Sequence, residues 1–126
     1  MRKMMFFLLS MLSAALFVGC ASTTLTNLTA STVPREANNL YRIEYQWNSN
    51  QQTVIDESIA PYVVTGAESY PMTRVRFTKN RWEAWVPVSS TRNFIVYHFK
   101  VDYKYRRFGS EGEASQLSPE YKMFIK

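Results

Sequence analysis

The chain has 126 residues, with 15 basic and 10 acidic side chains, one histidine and one cysteine. Arg2 and Lys3 lie in a leader that we expect to be removed, and the remaining 13 basic and 10 acidic side chains carry a net charge of only +3, which does not favour a nucleic-acid partner. The remaining roughly 100 residues suffice for one domain with one core, and a single cysteine excludes a disulfide within the chain.

The first nineteen residues have the pattern of a secretory leader. Arg2 and Lys3 precede an uncharged apolar run from Met4 to Val18, and the small residue Gly19 follows it. A membrane-spanning helix needs about 20 apolar residues, and this run has only roughly 15. We therefore expect residues 1–19 to be a cleaved signal peptide. Two alternatives are an ordinary signal peptide that leaves a free thiol, or an uncleaved anchor helix.

The end of this leader, Leu16-Phe17-Val18-Gly19-Cys20, resembles the lipobox of bacterial lipoproteins, although Phe17 stands where leucine is usual. The resemblance implies that diacylglycerol is attached to the Cys20 sulfur and that residues 20–24 are a lipidated tether to the membrane. Ala21-Ser22, without an aspartate after the cysteine, is similar to the pattern of lipoproteins sorted to the outer membrane. The implied location is the bacterial cell envelope, with the domain facing either the periplasm or the cell surface.

Strand patterns begin at Leu25 and continue through the first half of the chain. Leu40 to Trp47 alternates between apolar and polar residues, which is the period of a half-buried strand. A polar turn follows, and Ile59 to Val64 is a second apolar run. Tyr70 to Phe77 is then a predicted strand. A tight turn at Lys79-Asn80 joins it to Arg81–Val88, so that the two form a predicted hairpin.

The second half contains the clearest strand, Phe94 to Tyr105, whose odd-numbered positions from Ile95 are apolar or aromatic. We expect Arg106 to Ser118 to be a mobile loop and Tyr121 to Ile125 to be the last strand. Phe94, Val96 and Phe124 alternate away from the expected inner face. They mark either an interface or a second buried layer.

About seven short strands without helical periodicity predict an all-β fold, a single immunoglobulin-like antiparallel β-sandwich over residues 25–126. Several segments resemble small bacterial lipoproteins, a family of largely uncharacterised role with one immunoglobulin-like domain; they are Leu25-Thr26-Asn27-Leu28-Thr29, Pro61-Tyr62-Val63-Val64, Tyr70-Pro71-Met72, Tyr97 to Tyr103 and Leu117-Ser118-Pro119-Glu120-Tyr121. A weaker likeness, through Pro71-Met72, Trp82-Glu83-Ala84 and Phe99-Lys100-Val101-Asp102, is to glycogen-binding modules, which bind sugar with exposed aromatic side chains.

Candidate groups for catalysis or metal binding are few. His98 has no neighbouring cysteine or carboxylate set that would complete a metal site. The serines lack a nucleophile motif, and the carboxylate pairs Asp56-Glu57 and Glu111/Glu113 lie in predicted turns or loops. We expect neither an enzyme nor a cofactor.

Trp85 is the principal candidate for a binding residue. Alternation places it opposite Trp82, on the same side as Arg81 and Glu83, where it is either an exposed contact residue or covered by a loop. Arg74, Arg76, Lys79 and Arg81 cluster around the same hairpin, and Arg106-Arg107 end the long strand. These basic tips either touch anionic head groups or protect a strand edge. The expected role is non-catalytic: binding of an envelope protein or a structural task, with glycan binding as the alternative.

Overall fold

The computed structural model describes residues 23–126, so the predicted leader and Cys20 lie outside the described residues. Ten strands follow one another along the chain: β1 (Thr23–Asn27), β2 (Thr32–Val33), β3 (Leu40–Ser49), β4 (Ala60–Thr65), β5 (Glu68–Pro71), β6 (Thr73–Arg74), β7 (Arg81–Pro87), β8 (Phe94–Arg107), β9 (Ser110–Leu117) and β10 (Tyr121–Ile125). A three-residue 3-10 turn, Asp56–Ser58, precedes β4.

The strands form two sheets. The four-stranded sheet has the order β1-β3-β7-β6, and the six-stranded sheet has the order β2-β10-β8-β4-β5, with β9 also paired to β8. All pairs are antiparallel except β2 with β10. The first order corresponds to strands A, B, E and D of an immunoglobulin domain, and the second to its G, F and C strands with an added C′ strand. The predicted immunoglobulin-like β-sandwich is therefore confirmed.

The core lies between the two sheets, on the faces that the alternation predicted. Tyr41, Ile43, Tyr45 and Trp47 of β3 are buried, and so are Ile95, Tyr97, Phe99 and Val101 of β8. The Tyr45 and Phe99 ring centroids lie 4.5 Å apart across the sandwich. Within residues 23–126 the sixteen buried apolar side chains form one cluster drawn from both sheets, which is a core of the size that a domain of about 100 residues needs.

The predicted mobile loop at Arg106–Ser118 is wrong, because β8 continues to Arg107 and β9 runs back along it from Ser110 to Leu117. Two glycines make this hairpin possible. Gly109 turns the chain with φ +74°, and Gly112 leaves room for the Tyr105 ring, since a Cβ atom there would lie 2.6 Å from the Tyr105 hydroxyl oxygen.

The predicted strand Tyr70–Phe77 is two strands in different sheets. β5 pairs with β4 in the six-stranded sheet, whereas β6 pairs with β7 in the four-stranded sheet. The chain crosses between them at Met72, which is buried. Phe77 then lies in the turn before β7, and not in a strand. At the other end of the chain, β1 begins at Thr23, within the segment predicted as tether.

One end of the sandwich, here called the loop end, gathers the N-terminal strand and three turns. β1 begins at Thr23 opposite Ser49, where β3 ends, and the Trp47 amide donates to the Asn80 carbonyl before β7 (3.0 Å). The Trp47 and Tyr103 ring centroids lie 5.1 Å apart, so the C-terminal parts of β3 and β8 lie at the same end of the sandwich. The loop end therefore comprises Thr23 and the segments 50–59, 75–80 and 106–110.

Candidate interaction surfaces

Trp85 lies on the outer face of the four-stranded sheet and is 57% exposed, whereas Trp82 on the inner face is only 7% exposed. It pairs across the ladder with Arg42, whose Nε donates to Glu83 (2.6 Å) and whose guanidinium also contacts Glu44 (3.2 Å). The alternative that a loop covers Trp85 is therefore wrong. An indole on a flat strand, beside an ion pair that fixes its neighbours, presents a preformed aromatic surface.

The three arginines predicted to cluster around the hairpin occupy different places. Arg81 is exposed at the start of β7, on the same face as Trp85, and Arg76 is exposed in the turn between β6 and β7. Arg74 instead binds both carboxylate oxygens of Asp56 (3.0 and 3.2 Å), with its guanidinium 4.6 Å from the Trp82 ring centroid. Arg74 therefore holds segment 50–59 against the sandwich, and the four predicted residues do not form one site.

The outer face of the six-stranded sheet bears an apolar patch made of Phe94, Val96 and Phe124, far from Trp85. Each of the three is exposed in the described chain, so they are not a second buried layer. The Phe94 and Phe124 ring centroids are 6.4 Å apart, and the Lys122 ammonium lies 4.2 Å from the first and 4.9 Å from the second. Because the lysine covers part of both rings, this patch is smaller than its residues suggest.

Nearer the loop end, the same outer face forms an open groove of about 590 Å³. Asp102 lies in its floor, accepts a hydrogen bond from the Ser115 hydroxyl (2.5 Å) and has the Lys100 ammonium 3.7 Å away. Tyr62 and Tyr103 line the groove as well. Lys100 and Asp102 thus contact each other, and the charged residues Lys104 and Glu113 also line the groove.

Two of the most exposed large side chains in the described chain are Phe77 and Phe108, at 95% and 108% relative exposure. Both lie at the loop end, and both stand beside arginines: Arg76 is 5.0 Å from the Phe77 ring, and Arg106-Arg107 precede Phe108. The sequence-based prediction missed them, because it placed Phe77 in a strand and Phe108 in a mobile loop. The sequence feature that could have indicated their exposure is a phenylalanine beside turn residues, because a side chain in a turn has no partner in the core.

The residues considered for metal binding do not come together in the structure of the described residues. His98 is half-buried on the outer face of β8, and residues 23–126 hold no group of three or more His, Cys, Asp or Glu side chains arranged for a metal ion. No helix within the described part of the chain is long and apolar enough to cross a membrane.

Comparison with known proteins assigns the chain to no family. No protein-family model matches the chain, and no curated protein matches it. Among solved structures the chain is similar to the immunoglobulin-like domain of murine CRIg, with a TM-score of 0.47 and 8% identity, over 83% of this chain and 98% of that chain.

Proposed function

We propose that this protein is a lipid-anchored lipoprotein of the bacterial cell envelope that binds a partner protein and has no catalytic role. The lipobox-like sequence ending at Cys20 supports the anchor, and the Ala21-Ser22 pair supports the outer membrane as its location. The partner in this proposal is another envelope protein. The exposed indole of Trp85 is its principal contact, and Arg81 and Arg42 lie on the same face.

The observation that carries the binding role is the exposure of Trp85 on the outer face of β7, where it pairs with Arg42 of β3. Tryptophan is enriched at the energetic centres of protein interfaces, and burial of an exposed indole removes a large apolar area from water. Arg42 and Glu83 hold each other beside it, so little side-chain freedom is lost when a partner covers this face.

The anchor is tested by metabolic labelling with a palmitate analogue, followed by membrane fractionation. The wild-type chain should carry the label and sediment with membranes. Cys20→Ser should lose the label and either appear in soluble fractions or remain as an unprocessed precursor. A Cys20→Ser variant that still carried lipid would contradict the anchor.

The partner is sought by placing a photo-crosslinking residue at position 85 and, as a matched control, at position 117, another exposed apolar position on the opposite sheet. We expect one or a few envelope proteins to crosslink at position 85 and not at position 117. Trp85→Ala should lower recovery of the same protein at least tenfold in a pull-down. Equal crosslinking at both positions would contradict a role for this face.

Glycan binding is the alternative proposal, and one observation favours it: an exposed indole beside charged side chains is a surface on which sugar rings stack. Affinity electrophoresis against polysaccharides and peptidoglycan separates the two proposals. Retardation that Trp85→Ala abolishes would support glycan binding. Absence of retardation, or retardation unchanged by Trp85→Ala, would count against it.

A further inference from the structure

We propose that the loop end of the sandwich is a membrane-contacting surface, in which the rings of Phe77 and Phe108 enter the interface of an anionic bilayer and the neighbouring arginines bind its phosphate groups. This inference deepens the proposed function and rests on it for one point, the side of the molecule that the lipid anchor holds to the membrane. The affinity of the loop end for lipid can be measured without that anchor.

The chemistry of the two tips is the first argument. Each tip presents one fully exposed phenyl ring and adjacent cationic side chains: Arg76 and Lys79 around Phe77, and Arg106 and Arg107 before Phe108. Three carboxylates lie near this end, those of Asp56, Glu57 and Glu111. Arg74 already pairs with Asp56, so cationic side chains remain in excess. Aromatic rings flanked by arginine and lysine are suited to the boundary between acyl chains and anionic head groups.

The backbone of Phe77 is the second argument. Its φ of +64° places a bulky residue in the left-handed region, where glycine or asparagine is accommodated at lower cost. The turn is held by the Thr78 amide and hydroxyl, which both donate to the Val75 carbonyl (3.1 and 2.7 Å). The fold therefore bears strain at a residue whose ring makes no core contact, which points to a use for that ring outside the domain.

The position of the N-terminus is the third argument. Cys20 precedes Thr23 by three residues, a chain that spans at most about 11 Å. Phe108 lies five residues beyond Tyr103 and Ser49 lies two beyond Trp47, so the β8–β9 tip extends past Thr23 by about three residues, or roughly 10 Å. The two lengths agree, so acyl chains on Cys20 bring the tip to the depth of the head groups.

The test uses residues 23–126 without acyl chains, because this part contains the core of the described sandwich. Sedimentation with vesicles of equimolar phosphatidylglycerol and phosphatidylcholine should recover the wild-type domain, and vesicles of phosphatidylcholine alone should recover much less. Phe77→Asn and Phe108→Ser should each lower the partition coefficient about tenfold, since each removes the burial of one phenyl ring. Trp85→Ala, on a sheet face away from the loop end, should leave it unchanged.

A stability measurement excludes misfolding as the cause. Asparagine accepts the left-handed conformation, so Phe77→Asn should unfold at an equal or higher urea concentration than the wild type while binding vesicles more weakly. The inference is overturned if the wild-type domain does not sediment with anionic vesicles, or if the Phe77→Asn/Phe108→Ser double variant sediments as the wild type does. Neither result depends on lipid labelling of Cys20, which tests the anchor separately.

Discussion

At the scale of single residues, two core tyrosines differ in how their hydroxyl groups are satisfied. The Tyr97 hydroxyl accepts a hydrogen bond from the Asn27 side-chain amide (2.9 Å). The Tyr45 hydroxyl is fully buried between the sheets and has no hydrogen-bond partner among the described residues. A buried polar group without a partner lowers the stability of the fold, because it gives up its hydrogen bonds to water and gains none.

We therefore expect Tyr45→Phe to raise the free energy of unfolding by about 1 kcal/mol, since it removes only the unpaired hydroxyl. Tyr97→Phe is the matched control and should lower it by about 1 kcal/mol, because it leaves the Asn27 amide without its acceptor. Urea denaturation followed by fluorescence measures both. A loss of stability in both variants would contradict the difference between the two sites.

The same two residues predict a loss of stability at alkaline pH. Burial raises the pKa of Tyr45 far above its ordinary value of 10.0, and burial also raises the pKa of Tyr97, although hydrogen bonds to Asn27 and Thr29 act in the opposite direction. Above pH 10 the unfolded chain releases these protons while the folded chain retains them, so the unfolded state is favoured as pH rises. Below pH 10 both states keep the protons and these groups add no pH dependence.

The contribution of these two tyrosines to the denaturation midpoint should accordingly be constant from pH 7 to about pH 10. Above about pH 10 it should lower the midpoint, as measurements up to pH 11 can show. Tyr45→Phe should make the fall shallower, because one of the two raised tyrosine pKa values is then absent. An equally steep fall in this variant would show that other groups cause the alkaline loss.

For Arg74, the sequence predicted the location but not the contact. The sequence placed it correctly near the hairpin but could not show that it binds Asp56, eighteen residues earlier. That ion pair depends on the crossing of the chain between sheets at Met72, which no local pattern encodes. Trp85 was different, because alternation within β7 alone determined its face.

At the scale of elements, β9 and β10 act as one interrupted strand along the edge of β8. Between them, the Ser118 hydroxyl accepts the Phe99 amide hydrogen (2.7 Å), and the Ser118 amide donates to the Phe99 carbonyl (2.9 Å). A side chain thus replaces a backbone acceptor where the strand breaks. This keeps the Phe99 amide satisfied beside a fully buried ring.

Ser118→Ala should therefore lower the free energy of unfolding by about 1–3 kcal/mol, because the Phe99 amide loses its acceptor. Ser115→Ala is the control: its hydroxyl donates to Asp102 on the exposed outer face, and its loss should cost less than about 0.5 kcal/mol. Chemical denaturation of both variants provides the comparison. Equal effects would indicate that the Phe99 amide finds another partner.

Strands with an apolar face were predictable, and β9 was not, for a physical reason. β3 and β8 each place four apolar side chains in the core and β7 places three, which creates an alternation of apolar and polar residues in their sequences. The inward positions of β9 hold Gly112, Ala114 and Gln116, which are small or polar. A side chain at Gly112 would overlap the Tyr105 ring. The apolar group that fills this place therefore comes from β8, and β9 itself shows no apolar alternation.

At the scale of the whole molecule, the first and last described residues lie at opposite ends of the sandwich. Thr23 is at the loop end, whereas β10 ends beside Phe94, the first residue of β8. With the loop end on the membrane, the apolar patch of Phe94 and Phe124 lies near the end of the sandwich that points away from the bilayer. The meeting of Thr23, Phe77 and Phe108 at one end was beyond sequence reasoning, since it depends on how the two sheets pack.

This orientation predicts a difference in accessibility, which single cysteines can measure because Cys20 is the chain's one cysteine and is alkylated in the proposed lipoprotein. In the full lipidated chain on anionic vesicles, Gln52→Cys at the loop end should react several-fold more slowly with a polar maleimide than Arg92→Cys, which precedes β8 at the far end; both positions are exposed. In detergent micelles the two rates should approach each other. Equal rates on vesicles would contradict the upright orientation.

The pairing of β1 with β3 also bears on mechanical load. If the membrane holds the chain before Thr23 and a partner pulls on the sandwich, the force runs along β1, parallel to the strand axis. The hydrogen bonds that join β1 to β3 over five paired positions lie perpendicular to that axis, so they resist together in shear instead of opening one by one. A tensile pull away from the bilayer thus loads the sheet in its most resistant direction.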